Sequence, residues 1–495
     1  MTQTDFVVLL PVLFLAGWAL VLLLADLFIP AERKALTGWL ALVGPAGAAL
    51  SLLPWPNGGS LTGFGGMVAA DGFALFLHLL FLASAAIVIL LAVNTLARAG
   101  LERGEFYVLV LFTVSGMLLM SQAGDLIVVF LALELLSIPL YVLAGLARPR
   151  TDSEESAMKY FLLGAFASGF FVYGVALTYG ATGSTNLNAI VAAAQSGLMA
   201  NGQPAAPGLL VAGAALILVG LGFKVAAVPF HMWTPDVYEG APSVVTAFMA
   251  VGAKAGGFAA LLRVFVTAFP ELSAQWAALT AALAALTMIV GNFAAIAQGN
   301  VKRMLAYSSI AHAGYILMAL PAAGAAFAGQ RDNAIGSALF YLLAYALTTL
   351  GAWAVVIAVE RREGGPAGSG LALDDYAGLA ARQPGLALAM ALFMFSLTGL
   401  PPTSGFIAKF SLFRAAIDAG YLWLALIGVV TSLVSAYYYL RIVVLMFMRP
   451  GEGRALSQPT LNLAVGLTAL ATLAIGLIPG PLLDLAQRSV LALAR

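Results

Sequence analysis

Residues 222–248 read GFKVAAVPFHMWTPDVYEGAPSVVTAF, a stretch apolar enough to lie in a membrane that still holds a lysine, a histidine, two carboxylates and three prolines. Lys224 sits in the apolar run, Pro229 follows five residues later, and His231, Asp236 and Glu239 form a polar patch before the hydrophobicity resumes. A proline inside a membrane helix removes a backbone donor and clashes with the preceding turn, so the helix is predicted to break here. A broken helix beside a buried cation points to an ion path.

The flanking sequence supports a membrane setting. Of the 495 residues, 62% are hydrophobic and only 9% charged, and the apolar character runs along nearly the whole chain, as in a polytopic membrane protein. A net charge of +1 gives no argument for a nucleic-acid partner. With no cysteine the chain cannot form a disulfide, a cysteine-based zinc site or a thiolate-ligated iron–sulfur cluster. The three histidines, His78, His231 and His312, lie in separate segments without metal-ligand spacing. The N-terminal MTQTDFVVLL lacks a basic leader region and its apolar run is long enough to span, which predicts a retained first helix.

At about 20 apolar residues per crossing, fourteen spans are predicted, near 6–28, 36–53, 72–98, 105–123, 125–147, 156–180, 208–229, 243–267, 274–298, 304–321, 334–359, 386–413, 420–447 and 459–480. The longest polar connections are 181–207 and 360–385, and neither is long enough for a soluble domain. With odd-numbered connections placed in the cytoplasm, that face holds 14 basic residues, Arg361 and Arg362 among them. The other face and the C-terminal tail hold 5: Arg263, Arg331, Arg414, Arg488 and Arg495. This bias places both termini away from the cytoplasm.

Spans four to eight and nine to thirteen have similar lengths, and each set contains one proline-interrupted, lysine-bearing helix. The second is SLTGLPPTSGFIAKF, residues 396–410, with Pro401 and Pro402 before Lys409. Two consecutive five-span units enter the membrane from opposite sides and are therefore inverted repeats. The predicted organisation is an N-terminal three-helix segment (1–104), two repeats (105–267 and 268–448) and a C-terminal helix and tail (449–495).

Only six lysines occur, and four of them, Lys159, Lys224, Lys254 and Lys409, fall within apolar spans. A buried ionisable side chain costs at least about 2.5–3.5 kcal/mol, so it is normally paired or lines a hydrated cavity. Snorkelling to the surface is the plain alternative, and it suits best Lys159, near a span end. Glu134, in FLALELLSIPL, is a carboxylate near mid-span, readable as a structural salt bridge or as a charge that tunes a neighbouring lysine such as Lys159. A water-bridged row of lysines can relay protons, whereas a guanidinium stays protonated. His78, inside the third span with no evident partner, reads as a core histidine in preference to a relay member. His312 shares a polar stripe with Tyr307, Ser308, Ser309 and Tyr315 and is a possible relay member. Asp236 and Glu239 read either as a proton entry funnel or as a wet turn. Neither a Walker sequence nor a dinucleotide fingerprint is present.

Four motifs, AMKYFLLGAFASGFFVYG, HMWTPDVYEGAP followed by VTAF, VKRMLAYSSIAHAGY and LPPTSGFIAKF, together resemble the antiporter-like membrane subunits of bacterial respiratory complex I, the proton-pumping NADH:quinone oxidoreductase. The resemblance covers nearly the whole chain, and within the family it favours the subunit N group. One departure is Val244, where the family's run has proline. The resemblance implies an all-α polytopic membrane protein of about 14 transmembrane helices, with two inverted five-helix repeats and two broken helices. It implies that Glu134 and Lys159 act as a modulating pair, that Lys224 and Lys254 carry the proton along a hydrated axis, and that Lys409 connects to the exit. NADH, FMN, iron–sulfur clusters and quinone are then expected in other subunits, with no cofactor in this chain. The implied partners are the other antiporter-like subunits and small membrane subunits, in a bacterial plasma membrane. Two rival readings are a cation/proton antiporter or hydrogenase-linked subunit on the same fold, and a membrane scaffold whose buried charges only hold helices together.

Overall fold

Hydrocarbon offers no partner to a peptide group, so an apolar span must close its own hydrogen bonds as a helix. The computed structural model, which describes residues 2–55, 59–199, 201–325, 328–360, 370–489 and 491, takes this form. Arg361, Arg362, Arg495 and most of the glycine-rich part of the 360–385 connection lie outside the described residues. Among the described residues, twelve helices are long and apolar enough to cross a membrane, and the shorter apolar segments Ala35–Leu50 and Pro384–Thr398 stand at the second and twelfth expected spans. The count of fourteen is met with those two included.

In chain order the principal helices are α1 (Gln3–Asp26), α2 (Ala35–Leu50), α3 (Gly72–Ala92), α4 (Gly104–Gln122), α5 (Leu126–Ala144), α6 (Thr151–Thr182), α7 (Pro207–Val225) and α8 (Trp233–Gly240). They continue with α9 (Ser243–Ala268), α10 (Ser273–Ile296), α11 (Val301–Leu317), α12 (Ala328–Val359), α13 (Pro384–Thr398), α14 (Ser404–Asp418), α15 (Leu422–Met448) and α16 (Pro459–Leu477). A two-stranded antiparallel hairpin, β1 (Leu61–Gly63) and β2 (Val68–Ala70), precedes α3. The polar connection 181–207 holds a ten-residue helix, Leu187–Ser196, which Asn186 caps by accepting from the Asn188 and Ala189 N–H groups.

Burial sorts these helices. The apolar window of α9 is wholly buried, while only 33% of the corresponding windows of α6 and α15 is covered, so α9 is central and α6 and α15 present faces to lipid.

Both predicted breaks are present and share one local design. Helix α7 ends at Ala226 and α13 at Gly399, each left-handed, with φ of 61° and 89°. The Ala226 N–H bonds back to the Gly222 and Phe223 carbonyls and the Gly399 N–H to those of Phe395 and Ser396. Each cap is followed three residues later by a proline, Pro229 or Pro402. Backbone groups released at a break must find partners in a membrane. The Val228 N–H donates to Thr287 Oγ1 (2.9 Å) and the Gly405 N–H to Ser396 Oγ (3.1 Å).

A second local design also occurs twice. Asp125 caps α5 by accepting from the Ile127 N–H, and Asn300 caps α11 by accepting from the Lys302 and Arg303 N–H groups. Each cap pairs antiparallel with a connection that follows, Asp125 with Asn186 and Asn300 with Ala372. The flanking bonds correspond: Leu126 N–H to Thr185 O and Leu187 N–H to Gly124 O, against Val301 N–H to Leu371 O and Leu373 N–H to Gly299 O.

Two basic residues are not where the hydropathy reading put them. Arg263, counted with the non-cytoplasmic face, lies well within α9 and donates two hydrogen bonds to buried Asp71, at 2.8 and 3.0 Å. Lys302, assigned to a connection, is 2% exposed and donates to the Ala241 carbonyl. In both cases a partner distant in sequence satisfies the charge, and a sliding window cannot see such a partner. His78 is a core histidine, fully buried, with Nε2 3.1 Å from the Leu118 carbonyl and its ring against Trp55.

A buried row of lysines as the candidate functional site

Lys224 is carried on the last turn of α7, just before the break, and is 2% exposed. Its ammonium donates to Ser137 Oγ (2.7 Å) and to the Tyr160 hydroxyl (3.3 Å), and lies 5.4 Å from the Tyr160 ring centre and 6.0 Å from that of Tyr141. Tyr160 is held flat by Trp233, stacked at 4.6 Å, whose indole N–H donates to the Phe223 carbonyl (3.1 Å). The first residue of α8 thus fixes the side chain that faces Lys224. Glu134 lies one helical turn before Ser137 on α5, partly buried, and accepts from Ser168 Oγ (2.6 Å).

Lys254 is 1% exposed and donates to the Ser309 carbonyl of α11. It directly follows a π-helical turn, Met249–Ala253, inside α9. Such turns re-aim side chains and are frequent at functional positions. The buried hydroxyls of Tyr238, Ser309, Tyr345 and Thr349 adjoin one another beside the Ser309 carbonyl. Gly257, one turn on from Lys254, faces the Lys224 stem, where an added Cβ would lie 3.4 Å from Lys224 Cβ and 2.8 Å from Val225 Cγ1. The two lysine-bearing helices are therefore closely packed at this point, with no room for a side chain between them.

His312 lies three residues past Ser309 and is 4% exposed. Its Nδ1 pairs with the Tyr341 hydroxyl (2.8 Å) and its Nε2 with the Tyr439 hydroxyl (3.2 Å), which also pairs with Ser308. A cavity of about 10 Å³, close to the space one water needs, joins His312 to Ser396 and Gly405 at the second break.

Beyond it Lys409, on α14, is 4% exposed. Its ammonium donates to the carbonyls of Leu397 (3.0 Å) and Thr398 (2.9 Å) and to Ser432 Oγ (2.7 Å). Those three acceptors match the three donors of an ammonium, and the negative end of the α13 dipole favours a cation there. The Tyr315 ring lies 4.7 Å below. Among the described residues the salt bridges involve none of Lys224, Lys254 and Lys409; neutral oxygens receive all three ammonium groups, and aromatic rings lie against those of Lys224 and Lys409.

Gly399, which caps α13, is required twice. Its φ of 89° disfavours any L side chain, and a Cβ would lie 2.8 Å from Lys409 Cδ. Gly399→Ala is expected to destabilise the chain by about 1–3 kcal/mol and to displace the Lys409 ammonium. Thermal unfolding of the assembled protein together with its proton flux checks this; unchanged values in both would refute it.

Lys159 differs from the other three, its side chain being 39% exposed. It pairs with Glu155 (2.6 Å) and Asp236 (2.7 Å), while Glu134 accepts from Ser168 instead. Arg303 joins the cluster, donating to Asp236 Oδ1 (2.9 Å) and Glu239 Oε2 (2.8 Å). Burial pushes the Asp236 carboxyl up, but the hydrogen bonds from Lys159 and Arg303 outweigh it and hold the group below the ordinary carboxylate value. Asp236 and Glu239 are thus members of an ion network tying α6, α8 and α11. Sequence reasoning missed Tyr160, Tyr341, Tyr439 and Ser432. The Tyr437, Tyr438, Tyr439 run in an otherwise apolar span was the one available signal.

Residues 123–435 match the family model described as NADH:quinone oxidoreductase/Mrp antiporter, transmembrane. The chain is 51% identical to NADH-quinone oxidoreductase subunit N of Chloroflexus aggregans, over 99% of this chain and 98% of the relative. It is 46% identical to subunit N of Trichlorobacter lovleyi, over 98% and 96%. Among solved structures it is similar to a chain of respiratory complex I from Thermus thermophilus with bound aureothin, at 40% identity and a TM-score of 0.79 over 96% of this chain and 99% of that one. A chain of the Mrp complex from Dietzia, 23% identical with a TM-score of 0.83 over 99% and 97%, shares the fold.

Proposed function

Because the chain belongs to the NADH:quinone oxidoreductase/Mrp antiporter family, in its subunit N group, and is thus a multi-pass, proton-translocating membrane subunit of respiratory complex I, we propose that its path is the row Glu134, Lys159, Lys224, Lys254, His312 and Lys409. The observation that carries this reading is that Lys224, Lys254 and Lys409 are buried and, among the described residues, form no salt bridge, their ammonium groups being held by the neutral oxygens of Ser137 and Tyr160, of the Ser309 carbonyl, and of Leu397, Thr398 and Ser432.

In this reading bound water completes the hydrogen bonding of the buried hydroxyls of Tyr238, Ser309 and Thr349. Protons pass between lysines through that water and the histidine. Glu134, whose helix also presents Ser137 to Lys224, sets the affinity of the neighbouring cations by approach and withdrawal. Lys159 exchanges between the Asp236 network and the Glu134 side of α6, and so gates entry; Lys409 leads to the exit. Redox chemistry takes place in other subunits, where NADH, FMN, iron–sulfur clusters and quinone reside, and this chain holds no cofactor. Its neighbours are the other antiporter-like subunits and small membrane subunits.

The repeats at 105–267 and 268–448, flanked by 1–104 and 449–495, belong to the same proposal. The recurrence of the cap-and-bridge design at Asp125 and Asn300, and of the break design at Ala226 and Gly399, supports them. Counting from the two caps, Glu134 and Ser137 correspond to Ser309 and His312, so both repeats would aim a polar stripe at the axis. A bacterial plasma membrane with both termini on the non-cytoplasmic side follows from the charge bias, which survives the removal of buried Arg263 and Lys302, one from each side.

The test is proton pumping and NADH:quinone reductase activity, measured in parallel on the intact complex carrying Lys254→Met. Joint loss is expected of a tightly coupled module, and loss of pumping alone of a slipping one. Full pumping by a normally assembled variant would refute the path.

A further inference from the structure

The beginnings of α13 and α16 are tied together. The Gln383 side chain donates to the Ala455 carbonyl (2.6 Å) and accepts from the Ala455 N–H (2.8 Å), so Pro384 and Pro459 start the two helices at one membrane face. From there the helices diverge around a cavity of about 610 Å³. Its wall includes Leu388 and Leu470, 60% and 68% exposed, so it opens toward the membrane. Two glycines hollow it out, for a Cβ added at Gly385 or Gly466 would meet nothing within 4 Å.

Length, the opening toward lipid and the charge at the mouth together suit one kind of occupant. From Asn462 to Leu473 the groove runs about 16 Å along α16, close to half of a hydrocarbon core about 30 Å thick. Along that length the cavity is wide enough for one hydrocarbon chain. At the mouth stand the polar side chains of Ser457 and Asn462, and Arg382 and Arg454 flank the tied Gln383 and Ala455. Glu452 sits 3.9 Å from Arg382 but is 85% exposed, which leaves a positive excess at the rim.

We propose that this groove binds one acyl chain of an anionic phospholipid, with the headgroup held at Arg382 and Arg454. The site bears on the path at a distance. The other end of α16 presses Gly476 against Pro402 and Thr403 at the second break, and α13 ends in the carbonyls that receive Lys409. A chain lodged between α13 and α16 therefore fixes the half-helix that positions Lys409.

The test uses the intact complex in phosphatidylcholine vesicles with a trace of phosphatidylglycerol bearing a photoreactive group at mid-chain. Labelling is expected to concentrate on residues 385–392 and 462–473, several-fold above the lipid-facing Leu162 and Phe166 of α6. Photoreactive phosphatidylcholine should show no such excess. Gly466→Leu, which fills the groove, should abolish the excess, and the pair Arg382→Gln and Arg454→Gln should abolish the preference for phosphatidylglycerol. Labelling no denser than on α6 overturns the proposal, as does protection of the groove from both lipids by a neighbouring subunit. Should Gly466→Leu fail to assemble, the comparison of the two lipids on the unaltered complex decides alone.

Discussion

Lys224→Met and Lys224→Arg are both expected to lower proton translocation by the intact complex by about a hundredfold, within the range that a positioned proton donor or acceptor contributes. Methionine keeps the length and packing of the buried stem but removes the group that carries the proton. Arginine keeps the charge beside Ser137 and Tyr160 but stays protonated. The arginine variant is the decisive one. If Lys224 only held helices together, a cation there would suffice and translocation would persist. The measurement is the initial rate of NADH-driven proton uptake into inverted vesicles, with quinone reductase activity and complex content determined on the same preparation. Normal translocation by an assembled Lys224→Arg complex would sink the relay.

Arg263→Ala is expected to be the most destabilising single change. The guanidinium is 4% exposed and binds both oxygens of Asp71, itself 2% exposed, while resting 5.1 Å from the Phe73 ring centre. Removing the guanidinium takes from the buried Asp71 carboxylate its bidentate partner, and breaking a buried pair in this way costs about 3–5 kcal/mol. Asp71 also caps α3, accepting from the Ala74 N–H at 2.9 Å, so the pair ties the start of α3 to the central helix α9. The double change Arg263→Met with Asp71→Asn should recover much of the loss, because asparagine remains a good cap and both members of the charge pair are replaced together. Thermal unfolding of the purified complex reads both variants. If the double variant is no more stable than Arg263→Ala, the buried pair is not the cause.

The two breaks were legible because proline inside an apolar run is a local signal; Pro229 and Pro402 mark them without reference to anything else in the chain. Lys224, Lys254 and Lys409 were legible for the same reason, a charge in a hydropathic window. The caps were not. Ala226 adopts a left-handed conformation that nothing in its side chain announces, whereas Gly399 at the corresponding place does. The π-helical turn before Lys254 was equally silent, since MAVGA is an ordinary helical sequence and the widening answers to packing around α9.

The charges near the face divide in the same way. Lys159 was expected beside Glu134, yet it reaches Glu155 and Asp236, because Asp236 on α8 comes within 2.7 Å once the broken helix has folded back toward α6. Asp236 and Glu239 stood undecided between a funnel and a turn, and Arg303 makes them a network.

By itself the sequence determined the membrane class, the fourteen apolar spans, both breaks and the identity of the buried lysines, because each depends on residues within one helix length. The tertiary structure alone decided which oxygens the lysines meet, that Arg263 closes on Asp71 192 positions away, and that α13 and α16 part to leave a groove. Those outcomes depend on how helices distant in the chain pack, and a buried charge takes whichever partner that packing brings within hydrogen-bond reach.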